Sequence, residues 1–245
     1  MKALILAAGY ATRLYPITKK YPKSLLEVNG RPIIDYIIDS LKQVREIDEI
    51  IVITNSRFFA LFKKWKAKKT YGKNIVIVDD QTLDNESRLG AIGDMNFAIK
   101  TRSIKDDLLV IGGDNLFGKE VVDFLDFAKK KKSPSIGIYD IGDLSNAMHY
   151  GVVTLDKNKK ITGFQEKPKR PKTSLVAMCL YYFPKERIAL IKEYLHNRLR
   201  SNDATGLYID WLRKRLSVYG FVFNSFWFDI GSHSSYHSAK KRFLN

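Results

Sequence analysis

Cations crowd into one short stretch near the start of the chain. Leu4 to Ala8 is an apolar, strand-like run that passes through Gly9 into a loop carrying Thr12, Arg13, Lys19, Lys20 and Lys23, with Pro16 and Pro22 stiffening it. Gly9, flanked by Ala7 and Ala8, lets the backbone come close to a ligand, so its N–H groups can point at phosphate oxygens while Arg13 and Lys23 supply full charges. Arginine offers a planar fork and lysine a mobile point charge, a division that suits a triphosphate whose outer phosphates must leave. No Gly-Lys-Ser/Thr follows at the required spacing, so the loop is not a Walker A loop.

Two distant acids complement these cations. Asp114 in GGDN and Asp229 in FWFDIGS each follow an apolar run, at a strand end, with glycine beside them. A carboxylate so placed can hold a hard cation against phosphate oxygens. Two carboxylates about 5 Å apart, at an effective dielectric near 20, would repel by about 3 kcal/mol. Such a pair calls for a cation between its members, and Mg²⁺ is the expected one. A third group lies in YGVV and QEKP. Gly151 allows close backbone approach, Glu166 can accept hydrogen bonds from sugar hydroxyls, and Lys167 can neutralise an acceptor phosphate. Strand alternation points Glu166 and Lys167 to opposite faces unless a bulge or Pro168 ends the pleat.

The elements that must position these residues alternate along the first half. Arg31 to Val44 has Ile33, Ile34, Ile37, Ile38, Leu41 and Val44 at helical spacing, with Pro32 in the first turn. The runs Glu49–Asn55, Asn74–Asp80, Asp107–Asn115 and Ser135–Ile141 read as buried strands, separated by helices over Ser56–Tyr71, Gly90–Lys100 and Val121–Lys132. That order predicts an α/β fold: a Rossmann-like, mostly parallel sheet flanked by helices, with ligands beyond the carboxyl ends of the strands. Strands joined by short turns between Tyr150 and Phe183 predict a smaller mixed-sheet lobe closing over the first. Helices over Lys185–Leu199 and Thr205–Leu216, the strands SVYGFVF and SFWFDI, and a last helix over Ser234–Leu244 complete the chain. The whole reads as one domain over 1–245, with a nucleotide-binding lobe over about 1–141 and an acceptor-binding lobe over about 142–245.

Composition narrows the class. With 45% hydrophobic and 28% charged residues the chain is globular, and 42 Lys and Arg against 26 Asp and Glu give a formal +16, which favours polyanionic partners. The runs Lys63–Lys69 and Lys129–Lys132 read as solvated helix faces. The apolar segment after Lys2 is too short for a signal peptide, and no later run is long enough to cross a bilayer. Cys179 stands alone, so there is no internal disulfide, which fits a reducing, cytoplasmic setting. It reads as a buried strand residue, since no partnering histidine lies nearby. His233 and His237 are four apart with no third metal ligand in view.

The run AAGYATRLYPITKKYPKSLLEVNGRPII, together with GGDN, QEKP and FWFDIGS, resembles the signature of the sugar-nucleotidyltransferases, the family of the glucose-1-phosphate thymidylyl- and uridylyltransferases. Ala11 stands where a second glycine is usual, Glu27 where proline is usual, and Ser232 where threonine is usual. The resemblance implies a Mg²⁺-dependent enzyme in which a sugar 1-phosphate attacks the α-phosphorus of a nucleoside triphosphate, giving a nucleoside-diphosphate sugar and pyrophosphate. It implies Arg13 on the β and γ phosphates and Lys23 on the α-phosphoryl group as catalytic residues. Ala8, Gly9, Thr12, Gln81 and Gly90 would contact the nucleotide, Gly151, Glu166 and Lys167 the sugar phosphate, and Asp114 and Asp229 the metal.

The likeness thins between about Asn55 and Leu89. There DQTLDNESRLGAIGD is longer than the usual base-selecting loop and carries Asn85, Glu86 and Arg88, while Met178 and Cys179 replace small or hydroxyl residues expected in the pockets. The chain ends soon after Asp229, so no C-terminal β-helix is expected. Three alternatives stand beside this reading: a CTP-dependent cytidylyltransferase acting on phosphocholine or another small phosphomonoester, a non-catalytic nucleotide-sugar-binding regulator, and a nucleic-acid binder driven by charge. Retention of both Asp114 and Asp229 argues against the regulator. Nucleic-acid binding would need aromatic platforms among the cations, whereas the Tyr and Phe residues read mostly as core.

Overall fold

Apolar runs with side chains buried on both faces form the centre of the molecule. The computed structural model describes residues 1–68, 70–196 and 201–242. Its elements in chain order are β1 (Lys2–Leu6), the two-residue strands β2 (Glu27–Val28) and β3 (Arg31–Pro32), α1 (Ile33–Lys42), β4 (Glu49–Thr54), α2 (Ser56–Ala67), β5 (Asn74–Asp79), α3 (Gly90–Thr101), β6 (Leu108–Gly112), β7 (Asn115–Phe117) and α4 (Val121–Lys131). There follow β8 (Ser135–Asp140), the short α5 (Leu144–Ala147), β9 (Gly151–Leu155), β10 (Ile161–Glu166), β11 (Leu175–Phe183), α6 (Ala189–Leu195), α7 (Thr205–Arg213), β12 (Tyr219–Phe223), β13 (Trp227–Asp229) and α8 (His233–Arg242).

Strands β5, β4, β1 and β6 lie side by side and parallel. Next to β6 runs the long β11, antiparallel to it, and beyond β11 lies β8, which pairs in parallel with β12. The antiparallel β9–β10 hairpin joins the same sheet through a single register position, Val152 opposite Val176. The sheet is thus continuous across residue 141, with β11 and β12 of the second half built into the frame of the first.

Alternation along the central strands sorts their side chains into two cores. Ala3 and Ile5 of β1, with Ile50 and Val52 of β4, pack with α1, α2 and α4 on one face. Leu4, Ile51 and Ile53 pack with Ile92 and Met95 of α3 and with residues of α6 and α7 on the other. The sheet therefore lies between two helical layers, and its carboxyl ends stay open for loops. The basic runs sit outside: Lys63, Lys64 and Lys66 of α2 are exposed around the buried Phe62 and Trp65.

Several boundaries differ from those expected. Pro32 ends the β2–β3 hairpin, so the helix begins at Ile33. The strand expected to reach Asn115 stops at Gly112, and Gly113 passes too close to its neighbours to carry a side chain: a Cβ there would lie 2.5 Å from Ser24 Oγ and 2.8 Å from the Leu6 carbonyl. Asn115–Phe117 then leaves the main sheet and pairs with β13. The helix expected to reach Tyr71 ends at Ala67, and Tyr71 folds back onto Trp65 with ring centroids 5.0 Å apart. Helix α5 was not expected; the Asp143 side chain caps it by accepting from Ser145 N–H at 2.8 Å. The ends of the helices expected to reach Leu199 and Leu244, and of the basic run at Lys69, lie outside the described residues.

Asn55 ties this frame to the cationic loop. Its Oδ1 accepts from Phe58 N–H at 3.1 Å and caps α2, while its Nδ2 donates to the Ala8 carbonyl at 2.8 Å. The residue is 0% exposed, so both bonds are shielded from water. Asn55→Ala should lower stability by about 1–3 kcal/mol, from the lost cap and the unpaired Ala8 carbonyl, as read by urea denaturation. A loss below a few tenths of a kcal/mol would show that the tie is not needed.

Candidate active site

The cationic loop leaves β1 in three single-turn helices, Thr12–Leu14, Ile17–Lys19 and Lys23–Leu25, each anchored by buried side chains at Leu14, Thr18, Ser24 and Leu25. Ala11, at the position where the resembled family has glycine, takes the left-handed conformation (φ 47°, ψ 46°). That geometry costs a non-glycine residue roughly 1–2 kcal/mol, and the Thr18 hydroxyl holds it by donating to the Ala11 carbonyl at 2.7 Å. The departure at Ala11 therefore leaves the left-handed turn intact.

The β7–β13 ribbon brings the two acids together. Asn115 pairs with Asp229 in its register, and Ile230 N–H donates to the Asp114 carbonyl at 3.0 Å. Lys23 makes an ion pair with Asp114 Oδ2, while Asn115 Nδ2 donates to Asp114 Oδ1 at 2.8 Å. Trp227 Nε1–H in turn donates to Asn115 Oδ1 at 2.6 Å, and its ring meets Tyr150 edge-on with centroids 5.2 Å apart. Side chains on both strands thus fix one carboxylate beside the other.

Electrostatics separates the two acids. Burial alone would raise Asp114, but the Lys23 charge and hydrogen bond, with help from Asn115, bring it below the usual carboxylate range. Burial and the neighbouring Asp114 charge push Asp229 up to about 6, against the pull of Lys23, Arg13 and Lys167. Burial and a like charge thus act together on the second acid of the pair.

Two cavities meet at these residues. One, of about 410 Å³, is lined by Gly9, Thr12, Arg13, Lys23 and Asp114, with Asn85, Arg88 and Asp203 also on its wall. The other, of about 400 Å³, is lined by Arg13, Asp114, Asp229, Gly151, Glu166 and Lys167. Arg13, Lys167 and Asp229 also face a neighbouring hollow of about 700 Å³. Glu166 ends β10, and Lys167 takes φ 45° with its N–H on the Tyr150 carbonyl at 3.0 Å. This break in alternation turns both side chains into the same cavity. Burial raises Glu166, with Lys167 acting in the opposite direction.

Other candidates fall elsewhere. Ala8 is buried behind the loop with its carbonyl on Asn55. Gln81 is exposed and lines neither cavity. Gly90, at φ 75°, packs against another backbone, since a Cβ there would sit 2.7 Å from the Asn202 carbonyl oxygen. Met178 is fully buried in the core, so of the β11 pair only Cys179 reaches a pocket. Burial and then Asp114 push the Cys179 thiol up to about 12, so it stays protonated and is no nucleophile at neutral pH. The contributions of Asn55, Asn115 and Trp227 were not read from the sequence, although Asn115 and Trp227 lie inside the quoted motifs.

The sequence profile described as nucleotidyl transferase matches residues 2–245. The chain belongs to that family. A glucose-1-phosphate thymidylyltransferase of Neisseria meningitidis is 28% identical over 245 residues, covering 98% of this chain and 81% of that protein. The bifunctional protein GlmU of Methanocaldococcus jannaschii is 29% identical over 252 residues, covering 100% of this chain and 55% of its own length. The chain spans about half the length of the first curated relatives it matches. A crystal structure of a Bacillus anthracis protein assigned as a glucose-1-phosphate thymidylyltransferase superposes with a TM-score of 0.84 at 26% identity, covering 99% of this chain and 94% of that one. UDP-glucose pyrophosphorylase bound to UDP-glucose shares the fold, with a TM-score of 0.82 at 19% identity over 99% of this chain and 98% of that one.

One buried group in this family member sets a pH dependence of its own. Burial, and then the charge of Asp80, push Asp94 on α3 up to about 8. Its folded pKa lies above the unfolded value near 3.9, so the native state holds the extra proton between about pH 4 and 8, and stability falls as pH rises through that window. Asp94→Asn should flatten this fall and stabilise the protein at pH 8, by on the order of a few kcal/mol, as measured by thermal melts across pH. Parallel slopes for the two proteins would reject the assignment.

Proposed function

We propose that this protein transfers a nucleoside monophosphate from a nucleoside triphosphate to a sugar 1-phosphate, forming a nucleoside-diphosphate sugar and pyrophosphate. The observation that carries this reading is the shared wall: Arg13 and Asp114 line both cavities at once. A donor phosphate in one and an acceptor phosphate in the other would meet there. The attacking oxygen is already anionic, so the protein needs no nucleophile of its own. Its task is to hold two anions in line and offset their repulsion.

In this reading Arg13 grips the outer phosphates with its fork, and Lys23, with two donors free beyond its bond to Asp114, steadies the α-phosphoryl group. Lys167 holds the acceptor phosphate, and Glu166 accepts from sugar hydroxyls. The donor set suits a hard divalent cation: Asp229 is buried, burial and the Asp114 charge raise its pKa, and Asp114 lies beside it. Among the described residues no group of three or more His, Cys, Asp or Glu could hold a metal ion, so phosphate oxygens and water would have to complete the coordination of Mg²⁺ at Asp114 and Asp229. When bound, Mg²⁺ would offset phosphate charge at the reacting phosphorus. Among the described residues no helix is long and apolar enough to cross a membrane, and a cytoplasmic setting, where nucleoside triphosphates are held, goes with this reading.

The test is a matrix of nucleoside triphosphates against several sugar 1-phosphates and phosphocholine, read as pyrophosphate release with Mg²⁺ and again with excess EDTA. Release with at least one sugar 1-phosphate, abolished by the chelator, is expected. Activity with phosphocholine alone would move the acceptor to that class, and no release in any pair would sink the reading. Asp114→Asn should slow turnover roughly 100-fold or more with the fold unchanged.

A further inference from the structure

A buried acid pair beneath the nucleotide-side cavity takes no part in that transfer. Asp80, 3% exposed, follows β5, and Asp94, 6% exposed, lies in the second turn of α3. Asp80 Oδ1 accepts from Thr82 N–H at 2.7 Å and from the Thr82 hydroxyl at 2.8 Å. That hydroxyl lies 3.2 Å from the hydroxyl of Tyr10, which is buried within the cationic loop between Gly9 and Ala11. The backbone continues the link: Asp80 N–H donates to the Thr54 carbonyl at 2.8 Å, and Ser56 N–H to the Thr82 carbonyl at 3.0 Å.

The Asp94 carboxyl interacts with that of Asp80, and its buried Oδ1 has no hydrogen-bond partner. Two carboxylates cannot both be ionised at hydrogen-bond distance in a buried site, so one proton must lie between them. The charges around the pair do not replace it. Asp79 acts on Asp80 and Asp203 on Asp94, both negative, while Arg57 and Asp84 act on the neighbouring Tyr10. Burial raises both acids; at Asp94 the Asp80 charge adds to it, while at Asp80 the bonds from Thr82 act in the opposite direction.

The segment this pair secures is a wall of the nucleotide-side cavity. From Asp80 the chain runs through Asn85 and Arg88, both on that wall, to Leu89. Its far end is pinned independently, by Asn202 Nδ2 donating to the Leu89 carbonyl at 2.7 Å and Ile92 N–H to the Asn202 carbonyl at 2.8 Å. The near end is held to its neighbouring strand by the backbone bonds of Asp80 and Thr82, and its tie to α3 runs through the acid pair. Resting on the transfer reading above, we propose that Asp94 is a positioning residue for the nucleotide: its carboxyl proton, shared with Asp80, fastens the loop of residues 80–89 to α3 and, through Thr82 and Tyr10, to the phosphate loop. When alkaline pH removes that proton, two like charges face each other, the near end loosens, and the nucleotide binds more weakly.

The fastening can be followed without substrate, by hydrogen–deuterium exchange of residues 80–89 from pH 7 to 9.5, corrected for intrinsic exchange. The wild type should lose roughly tenfold or more in protection over that range, while Asp94→Asn, which keeps a donor that does not titrate, should hold it throughout. In steady-state assays with the triphosphate most active in the matrix, KM should rise with pH in the wild type and kcat change less. Asp94→Asn should give a flat, low KM and Asp94→Ala a high one at every pH. Exchange in Asp94→Asn that follows the wild-type pH profile would overturn the inference, even in an active enzyme. So would a wild-type profile restored at pH 9.5 by added KCl or CaCl₂, since a cation rather than a proton would then join the acids. If no triphosphate reacts, the transfer reading fails and the exchange experiment still decides the fastening.

Discussion

Two carboxylates held side by side in a cleft are a source of repulsion, and the site is built around containing it. Asp114 and Asp229 come from strands far apart in sequence and are joined through Asn115 opposite Asp229, with Ile230 N–H on the Asp114 carbonyl. Lys23 compensates Asp114 directly, and Arg13 and Lys167 act on Asp229 from two other segments. Burial and the Asp114 charge still leave the pKa of Asp229 raised. A site left in this condition is suited to a divalent ion arriving with phosphates.

The sheet serves that site by holding strand ends still. With β1, β4 and β6 buried between two helical layers, the turns that leave them can be given over to ligand chemistry. The cationic loop, Asp114 and the loop after β5 all start from such ends, as expected where ligands gather at the carboxyl edge of a parallel sheet. Asn55 and Thr82 then cross-link neighbouring turns through side chains, Asn55 to Ala8 and Thr82 to Tyr10. A change in one loop is therefore felt by the next.

Much of this was legible in the sequence, for identifiable reasons. The alternation of β-branched runs with amphipathic helices is strong in the first half, and the elements lie close to where the periodicity places them. Asp114 and Asp229 could be singled out because each follows an apolar run and has glycine nearby. Their convergence could not be derived from spacing, since Asn115 reads as a continuation of β6 whereas Asn115–Phe117 leaves that sheet and pairs with β13. Alternation left Glu166 and Lys167 on opposite faces, and the left-handed backbone at Lys167 reverses that. The same alternation, followed along β11, sends Met178 into the core and leaves Cys179 in the cavity. Asp94 gave no signal, because an acid in a helix ordinarily faces water; it is buried where α3 packs beneath the loop that begins at Asp80.

The central claim is that both acids serve one divalent ion, and it is tested most directly by crystals grown with Mn²⁺ and a non-hydrolysable analogue of the preferred nucleoside triphosphate. The account predicts an anomalous peak within about 2.5 Å of carboxylate oxygens from both Asp114 and Asp229, in contact with the analogue's phosphates. A nucleotide bound in the cleft with the metal touching neither acid would contradict it.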